Sequence, residues 1–296
     1  MSPTLLDLAR ERTVLLDGAM GTELMARGLP QGTPPEAWNT ENPGVVQEVY
    51  RAYFAAGSDA VSTNSFGGSS IKLAGHGLEA SAFELVSASA RLAREVAPKG
   101  RFVVGSMGPT GKFLKPQGEF TEEEFESAYA EQARALTEGG AEALLLETHY
   151  DLREALCALR GAHGASPLPI LATMTFNAVP RGFFTIMGDP VSRCLTELEK
   201  NGAVAVGANC TLNSEQMAGL VRAMRTETAL PLIAQANAGK PVLDAGGRVS
   251  YSQSLEDYVR FVPDLVREGA NIVGGCCGTT PAFIKAMAEI LRRSNA

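Results

Sequence analysis

Short apolar runs recur along the chain, and most are continuous rather than alternating with polar residues. They are Thr13–Asp17, Asp59–Thr63, Arg101–Ser106, Ala143–Glu147, Pro169–Thr175, Ala203–Ala208, Pro231–Ala236 and Asn271–Gly274. Strands buried on both faces of a parallel sheet require such runs of Val, Ile, Leu and Ala. Between them apolar positions return with the helical period. That spacing predicts helices over Val45–Ala56, Ala80–Val96, Glu122–Glu138, Leu152–His163, Pro190–Asn201, Ser214–Arg225, Leu255–Glu268 and Pro281–Arg293. Several end in glycine just before the next run, as in EGGAEA and KNGAVA, a signal for a helix stopped at a left-handed cap. Thr121 with Glu124 has the pattern of a capping box.

Eight strand–helix units in 296 residues predict a (β/α)8 TIM barrel, a single domain over residues 1–296. A doubly wound open sheet is the competing architecture. The irregular stretch Asn177–Gly188 is expected to be a βα loop over the barrel mouth, since no shift in composition marks it as a linker.

Composition narrows the functional classes. Hydrophobic residues make up 45% and charged residues 20%, enough apolar material for a packed core. No apolar run reaches the ~18 residues of a membrane span. The net charge of −7 argues against nucleic acid as the main partner. Charges at Asp7, Arg10, Glu11 and Arg12 interrupt the N-terminal apolar stretch, so no secretory leader is expected. Five cysteines are too few, and an odd number, for a disulfide framework. The expectation is a cytoplasmic protein with reduced thiols, a monomer or a modest homodimer.

Chemistry in such a barrel sits where the strands end. The runs end in Asp17-Gly18, Thr63-Asn64-Ser65-Phe66, Ser106-Met107-Gly108, Glu147-Thr148-His149, Thr175-Phe176-Asn177, Asn209-Cys210, Asn237-Ala238-Gly239 and Gly275-Cys276-Cys277-Gly278. Together these make a polar, ligand-sized mouth. Cys157 and Cys194 lie within helical stretches and read as buried structural thiols. Cys210, Cys276 and Cys277 instead end the sixth and eighth strands, neighbours but one around a barrel. Three convergent thiolates suit zinc with one position open, the pattern of a catalytic site. Three unrelated buried cysteines and a vicinal Cys276–Cys277 disulfide are the alternatives. A zinc ion held by three thiolates is a weak activator of water and a better activator of a substrate thiol, so the chemistry points to alkyl transfer. His76 and His163 read as solvated, and His149 as a candidate ligand contact.

The motifs LLDGAMGTEL, STNSFGG, GSMGPTG, LLLETHYDLREA, GANC, NAGKP and NIVGGCCGTTP resemble those of the homocysteine S-methyltransferase family over almost the whole chain. NAGKP and IVGGCCGTTP are most similar to the homocysteine-binding barrel of cobalamin-dependent methionine synthase. The resemblance implies zinc held by Cys210, Cys276 and Cys277 as the catalytic centre, with homocysteine binding through its sulfur to give methionine. It implies amino-acid recognition by Asp17, by Thr63, Asn64, Ser65 and Phe66, and by Glu147. Carboxylates can neutralise a substrate ammonium, and backbone N–H groups from Gly18 to Thr22 can take its carboxylate. Asn209 and Asn237 are expected either to orient the thiol site or to cap strand ends. The methyl donor stays open between a methylated corrinoid or methyltetrahydrofolate system, which implies a separate corrinoid protein, and a small S-methylmethionine- or betaine-like donor. Phe66, Tyr150, Phe176, Phe183 and Phe184 are candidates for a cage around a cationic donor. The chain is expected to be a free-standing enzyme, one module of a split methionine synthase, or a piece cut from a longer one. A related alkyltransferase acting on another thiol or methyl donor is the alternative.

Overall fold

Val14 and Leu16 face the barrel interior while Leu15, between them, faces outward. The same alternation recurs in every inner position of the sheet, and it sorts the core into two layers. A computed structural model describes residues 3–243 and 249–294; residues 1–2, 244–248 and 295–296 of the expected domain lie outside the described residues. The barrel strands are β1 (Val14–Leu15), β2 (Ala60–Ser62), β3 (Phe102–Met107), β4 (Ala143–His149), β5 (Ile170–Met174), β6 (Ala205–Asn209), β7 (Leu232–Ala236) and β8 (Ala270–Gly275). They form one parallel sheet in the order β1-β8-β7-β6-β5-β4-β3-β2. This is the expected (β/α)8 barrel, not the open sheet.

Inside, Val14, Leu16, Val104, Leu145, Leu171 and Ile233 pack on one another. Outside, Leu15, Val103, Leu144 and Val206 pack against the ring of helices. Both faces are therefore buried, which is why the runs are apolar throughout. The helix Leu5–Glu11, not anticipated from the sequence, adds Leu5 and Ala9 to the inner layer and starts in a capping box between Thr4 and Asp7.

The helices Glu122–Glu138 and Ser214–Arg225 have the expected limits. The single helix expected over Leu255–Glu268 is two, Leu255–Val259 and Val262–Arg267. Pro263 has no N–H to continue a helix and is placed instead in the first turn of the second one. The expected loop Asn177–Gly188 contains an antiparallel hairpin, Asn177–Val179 with Gly182–Phe184. A second hairpin pairs Pro241–Leu243 with Val249–Tyr251. No helix among the described residues is long and apolar enough to cross a membrane.

The sheet lacks a regular ladder between β1 and β2, and two aspartates bridge that seam. Near the amino end, Leu15 N–H donates to Asp59 Oδ2 at 3.0 Å and Asp59 N–H donates to Leu15 O at 2.7 Å. Near the carboxyl end, Ser62 N–H donates to Asp17 Oδ2 at 2.8 Å. Asp59 also takes a bidentate pair from Arg12, at 2.8 and 2.7 Å, and a third bond from Arg101. Burial pulls the Asp59 carboxyl upward, but the bonds from Arg12 and Leu15 outweigh it and hold it below the ordinary value. Its stabilising contribution is thus present at neutral pH and lost as pH falls below the ordinary carboxylate range. Replacing Asp59 with Ala should cost about 2–3 kcal/mol, because two guanidinium groups and a strand N–H lose their acceptor while both arginines keep contact with water. Chemical denaturation should show a lower midpoint at pH 7, with the gap from wild type narrowing at pH 3.

Candidate active site

The three rim thiols come together because β7 holds the chain on either side of it. Cys210 N–H donates to Gln235 O at 3.0 Å, Cys276 N–H to Ala236 O at 2.8 Å, and Ala238 N–H to Cys277 O at 2.9 Å. The sulfur atoms of Cys210, Cys276 and Cys277 all lie within 4.8 Å of one another, with Cys210 and Cys277 at 3.9 Å. All three are free thiols and partly buried. Two glycines make the turn after β8 possible. A Cβ on Gly275 would lie 2.1 Å from Thr279 Oγ1, and one on Gly278, which has φ +81°, would lie 2.3 Å from the Tyr251 ring. Cys210 itself adopts a left-handed φ of 63°, unusual outside glycine and a form of strain that accumulates at functional sites.

Hydrogen bonding with Cys276 and then Cys277 holds the Cys210 thiol well below its ordinary value. The same bond with Cys210 raises its partners, Cys277 to about 12. Three convergent soft donors at a half-buried rim fit zinc. Cys157 and Cys194 are buried in helices, with burial pushing each thiol up to about 12, as expected of structural cysteines.

Beside the thiols stand two carboxyl groups. Asp17 is almost fully buried, and burial raises it to about 8, against the bonds from Ser62 and with a further push from Glu147. Burial raises Glu147 to about 7, against the bond that Ser106 Oγ donates to Oε1. Asn209 joins Glu147 to the thiols. Its Oδ1 accepts from Thr148 N–H at 2.7 Å and from Thr173 Oγ1 at 2.8 Å. Its Nδ2 donates to Thr148 Oγ1 at 2.7 Å and faces Glu147 Oε2 at 3.3 Å and Cys276 Sγ at 3.7 Å.

These groups open on one cavity of about 480 Å³. Of the residues expected to bind substrate, Asp17, Gly18, Thr22, Thr63, Asn64, Phe66 and Glu147 line it. The others do not. Ser65 is buried, its hydroxyl spent on Thr63 Oγ1 and Ser106 O, so it braces the rim. Asn209 and Asn237 lie behind the wall, where Asn209 reaches Cys276 and Asn237 helps to lower Cys210. Asn64 reaches the wall, but its amide nitrogen is committed to Pro35 O and Asn39 Oδ1. Thr22 accepts from Gly278 N–H at 3.3 Å and so steadies the cysteine turn.

His149 is a correction. It is fully buried with its ring against Tyr129, away from the cavity, and burial lowers it to about 4. The left-handed Thr148 (φ 63°) and a register shift between Leu146 and His149 break the alternation that would have turned it inward. Of the aromatic residues proposed for a cage, Tyr150, Phe176, Phe183 and Phe184 are absent from the wall, and the Phe66 ring already carries Lys72 Nζ at 4.7 Å. The sequence reading missed Ser106, Glu36, Lys72 and Tyr251. Ser106 was visible as a strand end, whereas the other three come from short helical turns and a strand pair outside the barrel, with no rim position to mark them.

A parallel barrel with three thiols and two buried carboxyl groups at its carboxyl rim defines a class: barrel enzymes that work with sulfur at the strand ends. Comparison supplies the family. The family described as Homocysteine S-methyltransferase matches residues 14–291, and the chain belongs to it; members of this family are methyltransferases. The chain is 33% identical to methionine synthase from Mycobacterium tuberculosis over 96% of its own length and 25% of that protein. It is 31% identical to methionine synthase from Mycobacterium leprae over 98% of its length and 25% of that protein. It thus spans about a quarter of these curated relatives. Among solved structures, the metallated form of the homocysteine methyltransferase MmuM from Escherichia coli is 26% identical, with a TM-score of 0.79 over 96% of this chain and 98% of that one.

Because Asp17 and Glu147 are raised to about 8 and about 7, the folded barrel keeps protons that the unfolded chain has lost above the ordinary carboxylate pKa of about 4. The stability these two groups contribute to the metal-free protein should therefore fall as pH rises from about 4 towards about 8. Relative to wild type, Asp17→Asn should gain stability in chemical denaturation between pH 5 and pH 8, while keeping an acceptor for Ser62 N–H. A gap between variant and wild type that does not change over that range would show that Asp17 is ionised in the folded protein.

Proposed function

We propose that this chain, acting as one homocysteine-binding barrel, transfers a methyl group to the homocysteine thiolate to form methionine. The observation that carries this reading is the shared cavity: two carboxyl groups and three thiols open on the same space, tied together by one buried amide. A substrate ammonium between Asp17 and Glu147 would turn both into carboxylates making charge-assisted bonds. The helix Met20–Ala26 starts at the cavity wall without a side-chain cap at Ala19, which leaves backbone donors for the substrate carboxylate. Held at that end, the amino acid directs its thiol to the cysteines.

Cys210, Cys276 and Cys277 would hold zinc, which when bound keeps a substrate thiol deprotonated at neutral pH. The remaining work is positional. The wall holds the sulfur in line with the donor methyl group. A sulfur lone pair forms the new S–CH3 bond as the donor's bond to that methyl breaks, and the electron pair of the broken bond leaves with the donor. Asn209, reaching Glu147 and Cys276 together, keeps the ammonium anchor and the sulfur site at a fixed spacing. A second reading, in which the methyl group comes from a corrinoid on another domain or on a separate protein, is favoured by similarity to methionine synthases of which the chain spans a quarter. We place the protein in the cytoplasm, where its thiols stay reduced.

Metal analysis and calorimetry test the reading together. The purified protein should contain stoichiometric zinc and bind homocysteine with release of a proton. Cys210→Ser should lose zinc and lower methyl transfer by more than the ~10–100-fold typical of residues that only support a metal ligand. Its circular dichroism should match wild type, because the thiol stands on the rim and not in the core. An unfolded variant would mean that the centre is structural, and zinc-loaded protein indifferent to homocysteine would mean another thiol substrate.

A further inference from the structure

Beside the thiols the cavity is closed by a residue from outside the barrel. Beyond the end of β7, Pro241–Leu243 pairs with Val249–Tyr251, and Tyr251, opposite Pro241 in that register, lines the cavity together with Cys210, Cys276 and Cys277. The base of the strand pair is fastened. Ser252 N–H donates to Lys240 O at 3.0 Å, Lys240 N–H to Ser252 Oγ at 2.9 Å and Gln253 N–H to Ala238 O at 2.9 Å. Ala238 N–H in turn donates to Cys277 O. The Gln253 side chain is held as well, its Nε2 donating to Ser214 Oγ at 2.8 Å. Tyr251 is therefore delivered to the cavity by a backbone tied to the cysteine turn itself.

From that root the ring crosses the end of β8. A Cβ on Gly278 would come within 2.3 Å of Tyr251 Cγ and 2.4 Å of Cδ2, so the ring lies directly on the turn that carries Cys276 and Cys277. Burial, and then the neighbouring Cys277, push the phenol up to about 12, against a side-chain bond with Thr22. Thr22 belongs to the segment after β1, and β8 stands between β1 and β7 in the sheet, so Tyr251 spans three consecutive strand ends. Its hydroxyl is occupied at Thr22, which leaves the carbon face for the cavity. Phe66, the only other Phe or Tyr in the wall among the described residues, packs instead on Gly108, where a Cβ would lie 2.4 Å from its ring. An acceptor whose ammonium lies between Asp17 and Glu147 and whose sulfur lies at the cysteines must lay its methylenes along the wall between them. Resting on the homocysteine reading above, we propose that Tyr251 is a specificity-determining residue: its ring is the wall against which the carbon bearing the acceptor sulfur packs. The site then takes an unbranched thiol and rejects one with substituents on that carbon. A ring held at its root and at its hydroxyl cannot withdraw, and overpacking against a fixed wall is costly.

Calorimetry on zinc-loaded protein tests this with no methyl donor present. The two probes are L-homocysteine and its analogue with two methyl groups on the sulfur-bearing carbon, 2-amino-4-mercapto-4-methylpentanoic acid. Wild type should bind homocysteine tighter by about tenfold or more, the scale on which a shaped apolar pocket distinguishes one methyl or methylene group. Tyr251→Ala should weaken homocysteine and tighten the analogue, bringing their ratio close to one with zinc content unchanged. Tyr251→Phe should keep the wild-type ratio, because the carbon face makes the wall. Tyr251→Leu should fall between the two, and its ratio decides the matter if the alanine variant loses zinc or unfolds. A structural role alone would weaken both thiols alike and leave the ratio in place, which overturns the proposal. So does Tyr251→Phe behaving as Tyr251→Ala, which would assign the contact to the hydroxyl. Equal binding of the two thiols by wild type overturns it too, while leaving the methyl-transfer reading intact. Failure of wild type to bind homocysteine sinks that reading and the proposal with it.

Discussion

The side chain of Asn209 spends both ends of its amide inside the barrel, and the rest of the site is arranged around it. It is fully buried at the end of β6, and it reaches β4 through Glu147 and Thr148, β5 through Thr173 and the end of β8 through Cys276. An amide offers two donor hydrogens and two acceptor lone pairs, and these contacts use both kinds. An aspartate there would have no donor for Thr148 Oγ1 or Cys276, and would add a buried negative charge beside Glu147. The left-handed backbone at Thr148 persists because Asn209 holds that residue by its N–H and its hydroxyl at once. Glu147 and the thiol group are therefore linked through one buried amide.

The same economy appears where the barrel closes. Asp17 and Asp59 replace a regular ladder between β1 and β2, but their surroundings differ. Asp59 faces two arginines and is ionised, so it serves the fold. Among the described residues Asp17 pairs with no cation; it takes a bond from Ser62 beside the neighbouring Glu147, and burial raises it to about 8. In the proposed reading a ligand ammonium is its partner. The seam is thus firm at the amino end and conditional at the carboxyl end, where substrate would complete it. A site held in a costly state until its ligand arrives is a familiar exchange of stability for function.

The parts legible in the sequence are those fixed by strand periodicity. The eight runs became the eight barrel strands because burial on both faces leaves no polar alternative. The convergence of Cys210, Cys276 and Cys277 was readable once those residues were strand ends, since β6 and β8 both adjoin β7. The failures have physical causes. His149 was misread because alternation assumes an extended backbone, and Thr148 is left-handed. Ser65 was misread because a hydroxyl at a rim can turn to a carbonyl as readily as to a ligand. Lys72 and Glu36 were invisible because they meet only after the loops following β1 and β2 fold over the mouth, and loop packing leaves no period in a sequence. The split at Pro263 was written in the chain, but the apolar spacing of the flanking helices masks it.

Charge balance gives the cavity its direction. Its wall holds the carboxyl groups of Asp17, Glu36 and Glu147 and three thiols, against the ammonium of Lys72 and the imidazole of His76. Desolvation outweighs every local hydrogen bond at Asp17 and Glu147 and raises both carboxyl groups well above the ordinary carboxylate range. An incoming cation changes that accounting for both carboxyl groups at once, since each would face the new charge across a short, dry gap where Coulomb attraction is strong. Protons must then leave as the amino acid enters. Asn209 remains the common neighbour of Glu147 and Cys276, so ionisation at the carboxyl end is felt at the sulfur end through one shared donor group. A zwitterionic thiol would meet a site whose two ends take up charge together, whereas a neutral thiol would leave the carboxyl pair protonated and would lack that anchor.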